Sequence, residues 1–192
     1  MADIQPSKAA LLLMDFQKVI VGMAGDQGGA LLERAVKARE TARAAGMAVM
    51  HVRVAFRDAD YAAISPRNKG FSALAGKRFI TDGSPEADIH AALKPAADED
   101  VFTKTRVGAF STTDIGERLA AQGINTLILT GIATSGVVLS TLRDAADRDY
   151  RIFVISDCCA DMDAEVHRLL TERVFPRQAD VIALADFQKA IV

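Results

Sequence analysis

One expected strand ends in a carboxylate and another in an ammonium group. Asp15 follows Ala9–Met14 (AALLLM), and Lys104 follows Asp100–Thr103. A carboxylate at the end of a buried strand is partly desolvated, which raises its pKa unless a cation or hydrogen-bond donors offset the burial. In that setting it can serve as a general acid or base. A lysine beside it would hold it ionised and would stabilise developing negative charge. Each residue also has a plainer reading: Asp15 as a solvated strand end bonding the next loop, Lys104 as a surface cation. A third candidate is the turn within Asn125–Tyr150. The apolar run Thr126–Leu129 leads into Thr130, Gly131, Ile132, Ala133, Thr134, Ser135 and Gly136, after which Val137, Val138, Thr141, Leu142 and Ala145 fall at helical spacing. Small residues between strand and helix leave backbone N–H groups aimed off a helix N-terminus, where anions and oxyanions bind. A capping Thr134 or Ser135 accounts for the helix start but not for the small size of the whole turn.

Other reactive groups are sparse. Cys158 and Cys159 are the two cysteines of the chain, and they are adjacent. Neighbours do not form an ordinary structural disulfide, so two reduced thiols and a reducing compartment are expected. Lying beyond the run Arg151–Ser156, one of them could face a crevice as a nucleophile if its pKa were lowered; two buried structural thiols are the alternative. His51, His90 and His167 form no HxH or HxxxH pair, and Asp58-x-Asp60 has no histidine nearby in sequence, so no metal site is expected. Gly22–Gly29 is glycine-rich and reads as a loop, but it has neither GxGxxG nor GxxxxGK[ST] spacing, and no cofactor is expected.

The elements that must position these groups can be read from periodicity. The apolar stretches Ala9–Met14, Ala48–Phe56, Thr126–Leu129 and Arg151–Ser156 read as strands, with short strands at Asp100–Thr103 and Ala179–Ala183. Helical spacing covers Leu31–Ala45, Thr113–Gln122, the stretch after the small turn, and Asp163–Val174 with Asp163 as N-cap; Glu86–Leu93 reads as a short helix. Between Arg57 and Pro85 the pattern is broken by Ser65-Pro66, Gly70, Gly76 and Gly83, and so long an irregular segment is usually functional. Alternating strands and helices with continuously apolar strands predict an α/β fold, a three-layer, doubly wound parallel sheet with helices on both faces. Right-handed crossovers would bring the ends of the first and fourth strands together at a switch point, with Asp15 beside the Gly131 turn.

The 192 residues predict a single domain, 1–192, with ample core. Half are hydrophobic and net charge is −2, with a pI near 5.9. There is no basic stripe, so neither nucleic acid nor an anionic membrane is an expected partner. No run reaches the length of a membrane span, and Met1–Ala10, with Asp3 near its start, is not a secretory signal. A cytoplasmic protein with a small-molecule substrate is expected.

Three anchors now combine: Leu11-Leu12-Leu13-Met14-Asp15-Phe16-Gln17; Lys104-Thr105-Arg106-Val107-Gly108-Ala109-Phe110; and Thr130-Gly131-Ile132-Ala133-Thr134 followed by Thr141-Leu142-Arg143-Asp144-Ala145. The pattern resembles the isochorismatase-like (cysteine hydrolase) superfamily over nearly the whole chain. The resemblance implies a six-stranded parallel sheet and assembly into homodimers or homotetramers. Asp15 and Lys104 match the aspartate and lysine of the family's amidohydrolases. Ile132-Ala133 matches a bond often cis in the family, which aims N–H groups at an oxyanion. The nucleophile position, however, falls on Val137, and a valine cannot attack a carbonyl. The metal-binding histidines of nicotinamidases are missing too. The isochorismatase branch works without the cysteine: its aspartate is thought to protonate a vinyl ether, and water completes the cleavage. That branch has a glycine where Val137 stands, and an aromatic and a histidine where this chain has Ala133 and Ser135.

Three readings follow. The first is a cysteine-independent hydrolase of a small molecule, cleaving a vinyl ether or related C–O or C–N bond. Asp15 is then the acid/base, Lys104 its electrostatic partner and the Ala133–Val137 turn a donor set; Gln17, Arg106 and Phe110 line the pocket, and Phe16 packs. The second moves thiol chemistry to Cys158 or Cys159. The third is a non-catalytic binding protein on this fold. The segment Arg57–Pro85, with Tyr61, Ile64, Phe71, Leu74 and Phe79, reads as a lid or a subunit contact.

Overall fold

Six parallel strands form one sheet in the order β3-β2-β1-β4-β5-β6. The computed structural model describes residues 3–191. In chain order the elements are β1 (Ala9–Met14), α1 (Lys18–Met23), α2 (Gln27–Ala44), β2 (Ala48–Val54), α3 (Asp58–Ala62), α4 (Lys69–Ala75), β3 (Asp100–Lys104), α5 (Ile115–Ala121), β4 (Thr126–Ile132), α6 (Leu139–Asp147), β5 (Arg151–Ala160), α7 (Ala164–Leu169), β6 (Asp180–Ile182) and α8 (Leu184–Ala190). The strand order reverses direction between β1 and β4, so their carboxyl ends open a crevice at the switch point, as topology requires.

Alternation within β1 builds the layers. Leu11 and Leu13 join Leu31, Ala35, Ala38 and Phe187 in a core under α2 and α8. Ala10, Leu12 and Met14 join Leu119 and Leu142 in a second core under α5 and α6. Every residue of β1 and of β4 is buried, as expected of strands covered on both faces. At the crevice Gly131 lies opposite Met14. A Cβ there would come within 2.6 Å of the Met14 carbonyl oxygen, so only glycine allows β1 and β4 to close.

Three local readings change. The glycine-rich stretch is mostly helical: α1 ends at Met23, a three-residue turn follows, and α2 starts at Gln27 and runs through Gly28 and Gly29. Arg57–Pro85 is not irregular throughout: it holds α3 and α4 and a third apolar core of Val54, Phe56, Tyr61, Ile64, Phe71 and Ile80, with the Phe56 and Tyr61 rings stacked at 4.9 Å. Helices of five and seven residues are too short to show periodicity between Gly and Pro breaks. Glu86–Leu93 contains only a 3-10 turn at Ala91–Leu93. Asp163 does cap α7, accepting from the N–H groups of Glu165 and Val166. Among the described residues no helix is long and apolar enough to cross a membrane.

Candidate active site

Asp15 is the first residue beyond β1. Its backbone is left-handed (φ 59°), a conformation Asp tolerates better than most residues, and its N–H donates to the Val52 carbonyl at 2.8 Å. Lys104, the last residue of β3, pairs with Val54 across β2. β2 therefore lies between the two groups, and strands sit about 4.8 Å apart. Only a long cationic side chain spans that gap. Lys104 does so: its Nζ lies 2.9 Å from Asp15 Oδ2 and donates to the Arg106 carbonyl at 3.2 Å. The pair is buried, with Asp15 5% and Lys104 2% exposed.

The second carboxylate oxygen of Asp15, Oδ1, is buried and has no hydrogen-bond partner among the described residues. Burial pushes the Asp15 carboxyl above the usual carboxylate range, and the nearby Lys104 ammonium only partly reverses this. The group is thus a stronger proton holder than an exposed aspartate, with one oxygen left without a partner.

Both side chains line a cavity of about 360 Å³. Ile20 and Met23 of α1 form one side. Val54, Phe71, Leu74, Phe79 and Ile80, from the end of β2 and the α4 region, form a second. Val107, Met162 and the turn residues Ile132, Ala133, Gly136 and Val137 complete it. The segment between β2 and β3 is accordingly a wall of this cavity. Val137 is packed into the second core while facing the same space.

The turn itself is closely held. The Ile132–Ala133 peptide is cis. The Gly136 and Val138 N–H groups both donate to the Ala133 carbonyl, at 3.1 and 3.3 Å, and Ser135 N–H donates to Asp161 Oδ2 at 2.7 Å. Thr134 caps nothing; its Oγ1 lies 2.8 Å from His167 Nδ1. So Ser135 and Gly136, expected as free donors, spend their N–H groups within the protein. Asp161 and His167, which the sequence reading passed over, pin the turn from beyond β5 and from α7. Asp161 follows the end of β5 as Asp15 follows β1, but the strand readable in the sequence stops at Ser156, so that position gave no signal.

Other expected wall residues lie elsewhere. Gln17 is fully committed: its amide donates to the Val54 and Ala87 carbonyls at 2.8 and 2.7 Å and accepts from Val54 N–H at 2.8 Å. It ties β1 to β2 and to the loop before β3. Phe110 packs in the second core under the Arg148 guanidinium, 4.7 Å from the ring centroid. Arg106 does not line the cavity but stands 5.8 Å from the ring of Phe71, which does. The cysteines are placed inside β5, not beyond it. Successive strand residues face opposite ways, so Cys158 enters the first core and Cys159 the second. Neither lines the cavity. Burial pushes the Cys158 thiol above the ordinary thiol range and the Cys159 thiol up to about 12. Both are poor thiolates, contrary to the need for a lowered pKa. Among the described residues no group of three or more His, Cys, Asp or Glu is placed to hold a metal ion.

The isochorismatase domain model matches residues 9–186. The chain belongs to the isochorismatase-like hydrolase family. It is 31% identical to the isochorismatase family protein YecD of Escherichia coli O157:H7, over all of both chains. It is 27% identical to the maleamate amidohydrolase of Pseudomonas putida KT2440, over 93% of this chain and 84% of that protein. Among solved structures, an isochorismatase family protein from Burkholderia thailandensis superposes with a TM-score of 0.84 at 26% identity, covering 100% of this chain and 98% of the other.

Proposed function

We propose that this family member hydrolyses a small organic molecule without a covalent thiol step, with Asp15 as proton donor and acceptor and Lys104 as its electrostatic partner. The observation that carries the reading is the buried Asp15–Lys104 pair, 2.9 Å apart, at the wall of a cavity that no cysteine lines. Val137 occupies the place given to the nucleophile by the family pattern and offers only hydrocarbon. Protonated Asp15 would transfer its proton to the terminal carbon of a vinyl ether, leaving an oxocarbenium ion. Water then adds to the cationic carbon and loses a proton to the Asp15 carboxylate. The resulting hemiketal breaks its C–O bond to release an alcohol and a carbonyl compound, so that one water is consumed and Asp15 is restored. Lys104 keeps the carboxylate form from becoming too costly in the apolar cavity. The raised pKa of Asp15 favours this acid role. The engagement of Ser135 and Gly136 N–H groups within the protein favours proton-led cleavage over reliance on an oxyanion turn.

Replacing Asp15 with Asn tests the mechanism on a panel of vinyl ethers, amides and N-carbamoyl compounds. Turnover should be lost while circular dichroism stays native; an active Asp15→Asn enzyme removes the mechanism. Val137 equally favours a second reading, a binding protein without catalysis, which predicts thermal stabilisation by ligands and no turnover from any of the panel. Assembly into dimers or tetramers belongs to the same proposal, and light scattering after size exclusion tests it.

A further inference from the structure

We infer that the cavity beside Asp15 takes an uncharged, mainly hydrocarbon ligand with one hydrogen-bonding heteroatom, and rejects carboxylate-bearing ones. This deepens the reading above, because it takes the same cavity as the substrate site. Asp15 and Lys104 supply the only ionisable side chains among its lining residues. The lysine is the sole cation there, and its ammonium already serves Asp15 Oδ2 at 2.9 Å and the Arg106 carbonyl at 3.2 Å. A substrate carboxylate approaching it would compete with the Asp15 carboxyl for that ammonium, and Lys104 would have to give up its Oδ2 contact to serve it. Elsewhere the side chains offered to it are Leu, Ile, Val, Phe and Met, which cannot pair with an anion and leave its desolvation uncompensated.

The entrance has the same character. Five large hydrophobic residues of the described chain are exposed, and three of them line this cavity: Met23 (44%), Val107 (39%) and Met162 (67%). The side-chain polar atom left without a partner there, among the described residues, is Asp15 Oδ1. Carrying its proton on Oδ1, the Asp15 carboxyl would donate to one acceptor heteroatom of the ligand, such as an ether oxygen. Flexible methionines at the rim and an α4 wall of Phe71 and Leu74 suit variable hydrocarbon shapes, and the volume of about 360 Å³ lies at the small end of ligand cavities. Maleamate, the compound named for the Pseudomonas relative, carries a carboxylate and is of the class excluded here.

Calorimetric titration of the native protein with inert ethers tests this. Phenetole is compared with 4-ethoxybenzoate, and cyclohexyl methyl ether with 4-methoxycyclohexanecarboxylate. The neutral member of each pair should bind more than about tenfold tighter, since the anion pays an uncompensated desolvation. In Val107→Arg, a cation at the rim should narrow or reverse the gap. Equal or tighter binding of the carboxylates by the native protein, or no binding of either neutral ether at millimolar concentration, overturns the inference. These ethers lack the vinyl group and are not turned over, so the result is independent of the mechanism. A preference for anions would remove the ligand class and leave the Asp15 chemistry standing; an active Asp15→Asn enzyme would do the reverse.

Discussion

The molecule buries two carboxylates beside cations, one at each end of the sheet, and they are driven in opposite directions. At the amino end, Glu99 stands just before β3. Its Oε1 accepts from Arg43 Nε at 2.6 Å, and its Oε2 lies 2.9 Å from His51 Nε2 and accepts from Ala96 N–H at 2.9 Å. Burial alone would push Glu99 up, but Arg43, the Ala96 N–H and His51 together hold it at about 2. At the carboxyl end, Asp15 has one cation, one unpartnered oxygen and a raised pKa. Burial is common to both; the number of donors differs. A carboxylate with both oxygens served is a fixed ion that locks α2, β2 and the β3 approach together. A carboxylate left short of donors beside a cavity is held ready to exchange a proton or receive a ligand.

The largest contrast should appear in turnover. Asp15→Asn should reduce it by roughly 10³-fold or more, the scale of a lost general acid. Glu99→Gln should change it by less than about threefold, because Glu99 reaches no part of the reaction cavity. Comparable losses in the two variants, measured at one pH on one substrate, would erase the functional distinction between the two ends.

Lys104→Met comes next, with a loss of roughly 10- to 100-fold. Lys104 lowers the Asp15 pKa against the burial effect. Removing it should therefore raise that pKa further and move the limb of the pH–rate profile on which Asp15 loses its proton to higher pH. A merely structural lysine would lower the rate without moving the limb.

The third contrast is in stability. The folded Glu99 pKa of about 2 lies below its ordinary value of 4.5. Its contribution is fully present above the ordinary value and is lost as pH falls through about 2. Glu99→Gln should thus cost about 2–3 kcal/mol near neutral pH, with the difference from the native chain shrinking on acidification. Asp15 has the opposite sign: its folded pKa is raised, so its contribution is present in acid and is lost as pH rises through the folded value. The stability of Asp15→Asn relative to the native chain should accordingly improve as pH rises. Urea titrations across pH check both slopes, and parallel slopes would contradict the assignment.

How much of this was legible in the sequence follows from what each signal depends on. Continuous apolar strands and their alternation with helices require only local pattern, so the doubly wound sheet and the meeting of β1 with β4 could be read directly. Asp15 and Lys104 stood out because each ends such a run. The third dimension of the cavity could not be read that way. Gln17 looked available as a polar residue two positions past Asp15, but its three hydrogen bonds depend on where Val54 and Ala87 come to rest. Phe71, Leu74 and Phe79 were visible as apolar residues in a broken segment, yet which way they face depends on two short helices packed by tertiary contact. Glu99 was invisible as a site because its partners come from α2, β2 and a loop.

The smallest effect is expected at the cysteines, where sequence position and structural position diverge. Adjacent thiols after an apolar run allowed a group emerging at the crevice as well as two buried structural thiols, and the second is what is found. β5 instead runs through Ala160, with a register shift against β4 between Leu129 and Gly131, and carries them into opposite cores. Changing both to Ala should leave turnover within about twofold and lower stability by ~1 kcal/mol per site, as for loss of small buried groups. Iodoacetamide should label the native chain far more slowly than the urea-unfolded one, since burial excludes the reagent and a pKa of about 12 at Cys159 leaves almost no thiolate at neutral pH. Labelling of the native chain at the unfolded rate would mean that β5 opens readily at its carboxyl end. Because Asp161 lies just beyond that end and accepts from Ser135 N–H, such opening would also loosen the turn that walls the cavity, and a thiol would have to be reconsidered as a participant.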